Sequence, residues 1–169
     1  NNYISHYSNN MDDLKFFTAI HNRDTWQDGF EEPLRIHKLL EPKKSWSSLI
    51  TLSGQLNFQR LHPNFFKSLL KLIGASYHSD LALNNFERFT QTIIDKNYLY
   101  SILSTTPETL KSLIVLFSGS QVLTDSLLSD PSYFNWINNS DIINKSRSKD
   151  EFMRAYYELA KTYNVDVTT

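Results

Sequence analysis

Cysteine is absent from the 169 residues of the chain. This absence excludes disulfide bonds, thiolate metal ligands and cysteine nucleophiles within these residues, and it fits a cytoplasmic protein. Glycine and proline are scarce, with 4 and 5 residues, and there is no glycine-rich loop of the kind that cradles phosphate groups. The longest purely apolar run is Leu113 to Phe117, far short of the ~20 residues that span a bilayer. We therefore expect a cytoplasmic protein with no membrane partner.

Neither sign of charge dominates the chain. Its 17 basic and 18 acidic side chains give a formal charge of −1, so no global field attracts nucleic acid or an anionic membrane. Hydrophobic residues make up 40% of the sequence, and a chain of this length can bury a substantial core as one domain. These features predict an ordinary globular protein that does not bind nucleic acid.

Apolar side chains recur at helical spacing along the chain, and no segment alternates with the period of two that is typical of a strand. Residues 1–44 are predicted to form a polar, irregular N-terminal extension, in which MDDLKFFTAIHN gives a short helix and the part after it one or two helical turns. Residues 45–164 predict a helical domain, which begins with a stripe of Trp46, Leu49, Leu52 and Leu56, and residues 165–169 a tail. The predicted fold class is all-α, an irregular bundle of about six to eight helices.

Helix starts are marked by capping residues and prolines. The stretch HPNFFKSLLKLIGAS predicts a helix with Pro63 as its first residue. Thr106 with Pro107, and Asp130 with Pro131, each predict an N-cap followed by a first helical residue. A capping box at residues 148–151 predicts the last helix, with the stripe Phe152, Tyr156, Leu159 and Tyr163. Across the chain we expect one shared core, closed at an end by Trp136 and built from Phe86, Phe89, Leu113, Ile114 and Phe117.

The stretch SDLALNNFERFTQTII predicts an amphipathic helix capped by Ser79 or Asp80. Its apolar face consists of Ala82, Phe86, Phe89 and Ile93. The opposite face, which we call the polar strip, consists of Asn84, Glu87, Arg88 and Gln91. Two interpretations of the polar strip stay open: a surface that binds a partner, or a solvated face on which Asn84 and Arg88 also touch a neighbouring helix.

Two segments resemble each other. PNFFKSLLKLIGAS and PETLKSLIVLFSGS align without gaps and share a leading proline, Lys-Ser-Leu, a later leucine and a closing serine. A duplicated helix-turn-helix would explain the similarity, and so would two independent core helices of similar composition.

The stretch LFSGSQVLTDSLLSD contains a Gly-Ser pair followed by Asp125 and Asp130, as in nucleotidyltransferases that bind a triphosphate and Mg²⁺. Such a site needs two acidic residues on one face of a strand, usually as Asp-x-Asp. The chain has no Asp-x-Asp, and Gly119 follows a predicted helix. We therefore interpret the stretch as a corner between two helices, with Gly119 as a left-handed C-cap and Ser120 or its neighbour as the next N-cap.

The five histidines show no metal-ligand spacing. The stretch SYHSD, residues 76–80, contains serine, histidine and aspartate, the residue types of a catalytic triad. Residues so close in sequence rarely form the hydrogen-bonded relay that a triad needs. A loop and a helix cap are the preferred interpretation. The sequence thus predicts no catalytic, cofactor-binding or metal-binding residue in this chain.

Two sequence motifs, which we call phrases, suggest a family when they occur in this order along the chain: DLALNNFERF at 80–89 and LFSGSQVLTDSLLSDPSYFNWI at 116–137. They resemble the helical segment of bacterial glutamate-ammonia-ligase adenylyltransferases, also called glutamine synthetase adenylyltransferase/adenylyl-removing enzymes. The first phrase matches that family at Asp80, Ala82, Leu83, Asn84, Asn85, Phe86, Glu87, Arg88 and Phe89. The second matches at Leu116, Ser118, Ser120, Leu123, Asp125, Leu127, Leu128, Pro131 and Trp136. The resemblance covers about residues 50–160, whereas residues 1–45 carry no matching phrase.

The resemblance implies a larger bifunctional parent that attaches AMP from ATP to a tyrosine of glutamine synthetase and removes it by phosphorolysis. It implies catalytic domains elsewhere in the parent that use ATP and Mg²⁺, with glutamine synthetase and the PII signal protein as partners. This chain would be the catalytically silent, N-terminal helical region of that parent. The alternative is a stand-alone helical interaction module without catalytic domains, and a free-standing enzyme within these residues is the least favoured interpretation.

Overall fold

The structure is a computed structural model, and it describes residues 2–55, residues 64–139 and six positions beyond them: 150, 151, 154, 157, 158 and 161. For residues 2–11, 136, 137 and 139 it describes the backbone alone. Several predicted features lie outside this part of the chain. They are Leu56, the helix start at Pro63, the side chain of Trp136, the capping box at residues 148–151 taken as a whole, the stripe that follows it, and the tail at 165–169.

The described part of the chain is all-α, which confirms the predicted fold class, and it contains no strand. Its nine α-helices follow one another in the order α1 (Asn2–Asn22), α2 (Glu31–Ile36), α3 (Pro42–Gln55), α4 (Phe65–Ala75), α5 (Ser79–Thr92), α6 (Lys96–Thr105), α7 (Pro107–Gly119), α8 (Gln121–Ser129) and α9 (Tyr133–Asn139). A 3₁₀ turn, Asp28–Phe30, precedes α2. This turn and the short α2 are the one or two turns expected in that region.

One hydrophobic core runs through the described helices, and α5 packs against α3, α4, α7 and α8 within it. The five side chains expected to share a core are all buried there, namely Phe86, Phe89, Leu113, Ile114 and Phe117. The three described members of the α3 stripe are buried as well, namely Trp46, Leu49 and Leu52. Because four helices of the same core hold α5, its solvent-facing side is presented on a fixed support.

The N-terminal helices belong to this core. The helix expected over MDDLKFFTAIHN is longer than predicted, since α1 begins at Asn2. Phe16 and Ile20 of α1 are buried, and Phe30 stacks on Trp46 of α3 with ring centroids 4.3 Å apart. Helix α3 begins at Pro42 and therefore runs across the predicted boundary after residue 44.

Two helices end in a left-handed residue that is not glycine. Arg23 (φ 58°) follows α1, and Lys38 (φ 60°) follows α2. After α2, the Lys38 N–H donates to the Arg35 carbonyl and the Leu39 N–H to the Leu34 carbonyl, at 2.9 and 3.2 Å. This is the paired pattern of the Schellman motif, and the burial of both Leu34 and Leu39 supplies the apolar contact that accompanies it.

Several capping predictions need correction. The N-cap of α5 is His78, which makes no side-chain capping bond. Ser79 instead donates to the Ile73 carbonyl at 2.9 Å, so its oxygen serves the turn after α4. Asp80 accepts the backbone N–H of Leu40 at 3.0 Å, and its carboxylate therefore fixes the connection between α2 and α3.

The other two predicted starts differ in outcome. Thr106 is the N-cap of α7 and Pro107 its first residue, as expected, although the Thr106 side chain makes no capping bond. Asp130 is the C-cap of α8, and Pro131 lies in the turn before α9, which begins at Tyr133. The Asp130 carboxylate accepts the Ser132 N–H at 3.0 Å, so it organises this turn.

The two similar segments correspond to α4 and α7, and the helix that follows each of them, α5 or α8, would complete a duplicated pair. The connection is residues 76–78 in the first pair and Ser120 alone in the second. Both interpretations of the similarity are compatible with this arrangement, and duplication stays a prediction.

Two helical glycines provide a matched test of packing. A Cβ at Gly54 of α3 would lie 3.6 Å from an Arg23 side-chain nitrogen, whereas one at Gly74 of α4 would lie 3.1 Å from both Cα and Nδ1 of His37. Gly54→Ala is therefore expected to raise the free energy of unfolding by about 0.5–1 kcal/mol through helix propensity. Gly74→Ala is expected to lower it by about 1 kcal/mol, because the added methyl overpacks a backbone contact. Urea unfolding of both variants checks this pair, and equal shifts of one sign would contradict it.

Candidate functional site

The polar strip lies on α5 and presents side chains of different exposure. Asn84 and Glu87 are partly buried, whereas Arg88 and Gln91 are exposed. Gln91 donates from Nε2 to Glu87 Oε1 at 3.4 Å, one helical turn away. The four residues thus form a continuous strip along α5 that reaches solvent at Arg88 and Gln91.

The residue beside the strip, Asn85, is fully buried at 0% exposure. Its Nδ2 donates to the Phe117 carbonyl at 3.0 Å and to Gln121 Oε1 at 3.3 Å. Its Oδ1 accepts from Arg88 at 3.3 Å. The Phe117 carbonyl is one of the last carbonyls of α7, which lack a partner within their own helix. Asn85 therefore caps the end of α7 from the side of α5.

Helix α8 completes this cluster. Gln121 donates from Nε2 to Asp125 Oδ1 at 2.8 Å, and Arg88 NH1 lies 3.9 Å from the same oxygen. We call the four residues Asn85, Arg88, Gln121 and Asp125 the α5–α8 junction. It joins a buried amide to a half-exposed ion pair, and it brings together residues from both phrases that carry the family resemblance.

The corner after α7 has the structural role that the sequence suggests. Helix α7 ends at Gly119 and α8 begins at Gln121, with an angle of 119° between them. Ser120 is extended (φ −149°, ψ 112°), and its side chain accepts the Leu123 N–H at 3.3 Å as an N-cap. The prediction of Gly119 as a left-handed C-cap is wrong, because no glycine in the described ranges has a positive φ. The extended Ser120 makes the corner instead.

The two acidic residues of this stretch make different contacts. Asp125 belongs to the α5–α8 junction, whereas Asp130 accepts from the N–H and the hydroxyl of Ser132, at 3.0 and 2.6 Å. Each carboxylate is engaged by its own neighbours. Among the described residues, no group of three or more His, Cys, Asp or Glu side chains is placed to hold a metal ion.

The histidine stretch at residues 76–80 forms a turn and a helix start. Tyr77 and His78 contact each other edge to face, with centroids 4.7 Å apart. Ser79 and Asp80 point to different neighbours, the Ile73 carbonyl and the Leu40 N–H. These contacts agree with the loop of the preferred interpretation, whereas the helix cap is not formed, because no side chain caps α5.

Two groups with shifted pKa values lie away from the junction. Burial lowers the pKa of His37, and the charge of Asp13 and a hydrogen bond with the Leu70 backbone oppose this effect. Burial also raises the pKa of Tyr100, a shift that the nearby Thr90 hydroxyl only partly opposes. Both shifts are dominated by burial, so they mark packing between helices rather than a cluster of reactive groups.

Sequence reasoning identified the strip but missed two members of the junction, the buried Asn85 and the exposed Gln121. Asn85 stands next to the strip and falls on neither predicted face, and Gln121 has no pattern that marks it. The one available signal is that Asn85 lies at the edge of the apolar face of an amphipathic helix, where a buried amide needs partners.

Comparisons of the chain with protein-family models, with curated proteins and with solved structures find no match. Within the described ranges, no single helix has the length and apolar character to cross a membrane, and α7 with α8 meets these criteria only as a bent pair.

Proposed function

We propose that this chain is a helical, catalytically silent region of a bifunctional glutamine synthetase adenylyltransferase/adenylyl-removing enzyme. Such an enzyme regulates nitrogen assimilation by adding AMP to glutamine synthetase and removing it again. In this proposal the ATP and Mg²⁺ chemistry belongs to catalytic domains elsewhere in the parent chain. The region described here acts as scaffold and recognition surface, with glutamine synthetase and the PII signal protein as partners of the whole enzyme.

The observation that supports this proposal is the α5–α8 junction. The two phrases that resemble the family lie some thirty residues apart in sequence, and Asn85 and Arg88 of the first contact Phe117, Gln121 and Asp125 of the second. The phrases therefore belong to one packed unit, as expected if they specify a single helical element. The absence of Asp-x-Asp from the sequence is consistent with a non-catalytic role for this element.

The alternative is a stand-alone helical interaction module. It is favoured by the N-terminal helices, which the resemblance does not cover and whose Phe16, Ile20 and Leu34 are buried in the same core. The two proposals differ in what the complete reading frame encodes. A strand-type Gly-Ser or Gly-Gly element with Asp-x-Asp downstream would support the enzyme, and a stop codon shortly after Thr169 would support the module.

The polar strip supplies the biochemical test. In the full-length enzyme, the double variant Glu87→Lys with Arg88→Glu is expected to lower the rate of adenylylation or of AMP removal at least about tenfold, a loss of roughly 1.4 kcal/mol. The physical reason is that reversed charges on a rigid helix would face a partner built for the original ones. Rates of both reactions with purified glutamine synthetase are the measurement.

Arg88 also contacts Asn85 and Asp125, so a matched control is needed. Asp125→Asn removes the acidic partner of Arg88 but leaves both charges of the polar strip in place. If the strip binds a partner, only the charge swap lowers the rates, while the thermal stabilities of the two variants stay similar. Wild-type rates for the charge swap would identify the strip as a solvated face.

A further inference from the structure

A histidine joins the end of α2 to α4. His37 is the C-cap of α2, and its side chain is half-buried. A Cβ added to Gly74 of α4 would lie 3.1 Å from both Cα and Nδ1 of His37, so the missing side chain at Gly74 lets the imidazole lie directly against the helix. We call this close approach the His37 contact. It involves no residue of the polar strip, and the inference drawn from it does not depend on the proposed function.

Two polar groups face the imidazole at this contact. The imidazole donates a hydrogen bond to the backbone of Leu70 on α4, and the carboxylate of Asp13 on α1 acts on it electrostatically. Within the described part of the chain, His37 takes part in no ion pair. The charged side chains of α4 are the exposed Lys67 and Lys71, which carry the same sign as a protonated imidazole. Asp13 is therefore the charge that favours protonation, and it acts from beyond ion-pair distance.

A proton added to His37 would place a positive charge in this half-buried contact. The Asp13 charge and the Leu70 hydrogen bond favour the charged form, but burial outweighs both and lowers the pKa of His37 from its ordinary value of 6.5. The unfolded chain therefore binds a proton at this residue more readily than the folded chain does. The stability that His37 contributes is complete above pH 6.5 and falls as the pH decreases from there towards the lowered pKa.

The chain around His37 limits how far the effect of protonation spreads. Leu34 and Leu39, on either side of it, are fully buried in the core and hold the segment in place. Ile36 and Lys38 between them are exposed, and Lys38 has a left-handed backbone conformation. Helix α2 has six residues, too few for a helix to be stable in isolation. The part that responds to protonation is therefore the end of α2 and not the whole core.

We propose that the His37 contact attaches the end of α2 to α4 in a pH-sensitive way. With a neutral imidazole the end of α2 stays packed against Gly74, and acidification to about pH 5.5 loosens it. Loosening uncovers the surface of α4 at Gly74 while the core stays folded. Access to this surface of α4 thus depends on pH.

NMR titration of the histidine side chains tests the charge state directly. The imidazole signal of His37, assigned from triple-resonance spectra, is expected to titrate with a midpoint below 6.5. Asp13→Asn removes the charge that favours protonation, so it should lower this midpoint further. Asp12→Asn removes an equal charge one position away and should lower the midpoint less. A wild-type midpoint at or above 6.5 would overturn the proposal, and so would equal shifts in the two variants.

Amide hydrogen exchange locates the response in the chain. Between about pH 7.5 and 5.5, corrected for the intrinsic pH dependence of exchange, protection at the end of α2 should fall at least about twofold in the wild type but not in His37→Asn. Asparagine keeps a side-chain N–H donor and does not titrate, so this variant separates the charge from the hydrogen bond. Protection in α9 is the internal control and should change equally in both proteins.

An equal loss of protection at the end of α2 in the wild type and in His37→Asn would overturn the proposal. Unchanged protection in both proteins would overturn it as well. If His37→Asn fails to fold, the NMR titrations of the wild type, Asp13→Asn and Asp12→Asn still decide the outcome, because each of these proteins retains His37.

Discussion

Replacing Phe89 by alanine is expected to lower the free energy of unfolding by about 3–5 kcal/mol. Phe89 is 0% exposed, and its ring lies 5.5 Å from that of Phe117 and 5.6 Å from that of Phe134, centroid to centroid. These contacts join α5 to α7 and α9. The loss arises because helices fixed by other contacts cannot collapse fully into the space that the ring leaves.

Urea unfolding followed by circular dichroism measures this effect. Ile94→Ala is the matched control, since Ile94 is 101% exposed and its truncation should change stability by less than about 0.5 kcal/mol. An unchanged thermal midpoint in Phe89→Ala would show that the inward face of α5 is assigned incorrectly.

Replacing Asn85 by alanine is expected to cost about 2–3 kcal/mol, more than the loss of one ordinary hydrogen bond. The substitution removes the two donated bonds to Phe117 and Gln121 and the bond accepted from Arg88. The Phe117 carbonyl then stays buried at the end of α7 without this partner. A buried carbonyl that has lost its hydrogen-bond donor keeps its desolvation cost without a compensating bond, which destabilises the folded state.

Asn84 provides the control for this prediction. It has the same side chain one position away, is partly buried and belongs to the polar strip. Asn84→Ala should therefore cost less than about 1 kcal/mol. Amide hydrogen exchange adds a local measurement, because only Asn85→Ala should speed exchange in the last turn of α7 and the first turn of α8. Equal losses of stability in the two variants would contradict the capping role of Asn85.

Helix type and the core faces could be read from the sequence because they depend on periodicity. In α5 and α7 the apolar residues recur every three or four positions, and the α7 stripe is buried as expected. In α5 Ala82, Phe86 and Phe89 are buried, whereas Ile93 is the C-cap and only partly buried. Pro107 marked the first residue of α7 because proline lacks the N–H that a helix start leaves without a partner. These signals are local, so neighbouring residues are sufficient to interpret them.

The details that the sequence did not reveal depend on partners distant along the chain. The amide of Asn85 binds a carbonyl 32 positions away, and no local pattern announces such a bond. A left-handed helix end was expected at Gly119, yet such ends occur at Arg23 and Lys38. There the Schellman bonds and the burial of Leu39 after α2 outweigh the steric preference for glycine. The length of α1 was missed because its first half is polar and rich in asparagine, a weak helix former.

The central position of α5 has a consequence for the entropy of binding at its surface. A helix held by α3, α4, α7 and α8 has little backbone freedom left to lose. When a partner contacts Arg88 or Gln91, the entropy lost on this side of the interface would therefore come from ordering side chains and not from ordering a mobile loop. A narrow exposed strip on such an immobile support can discriminate between partners of similar charge, because it cannot adjust its shape to accommodate the wrong one.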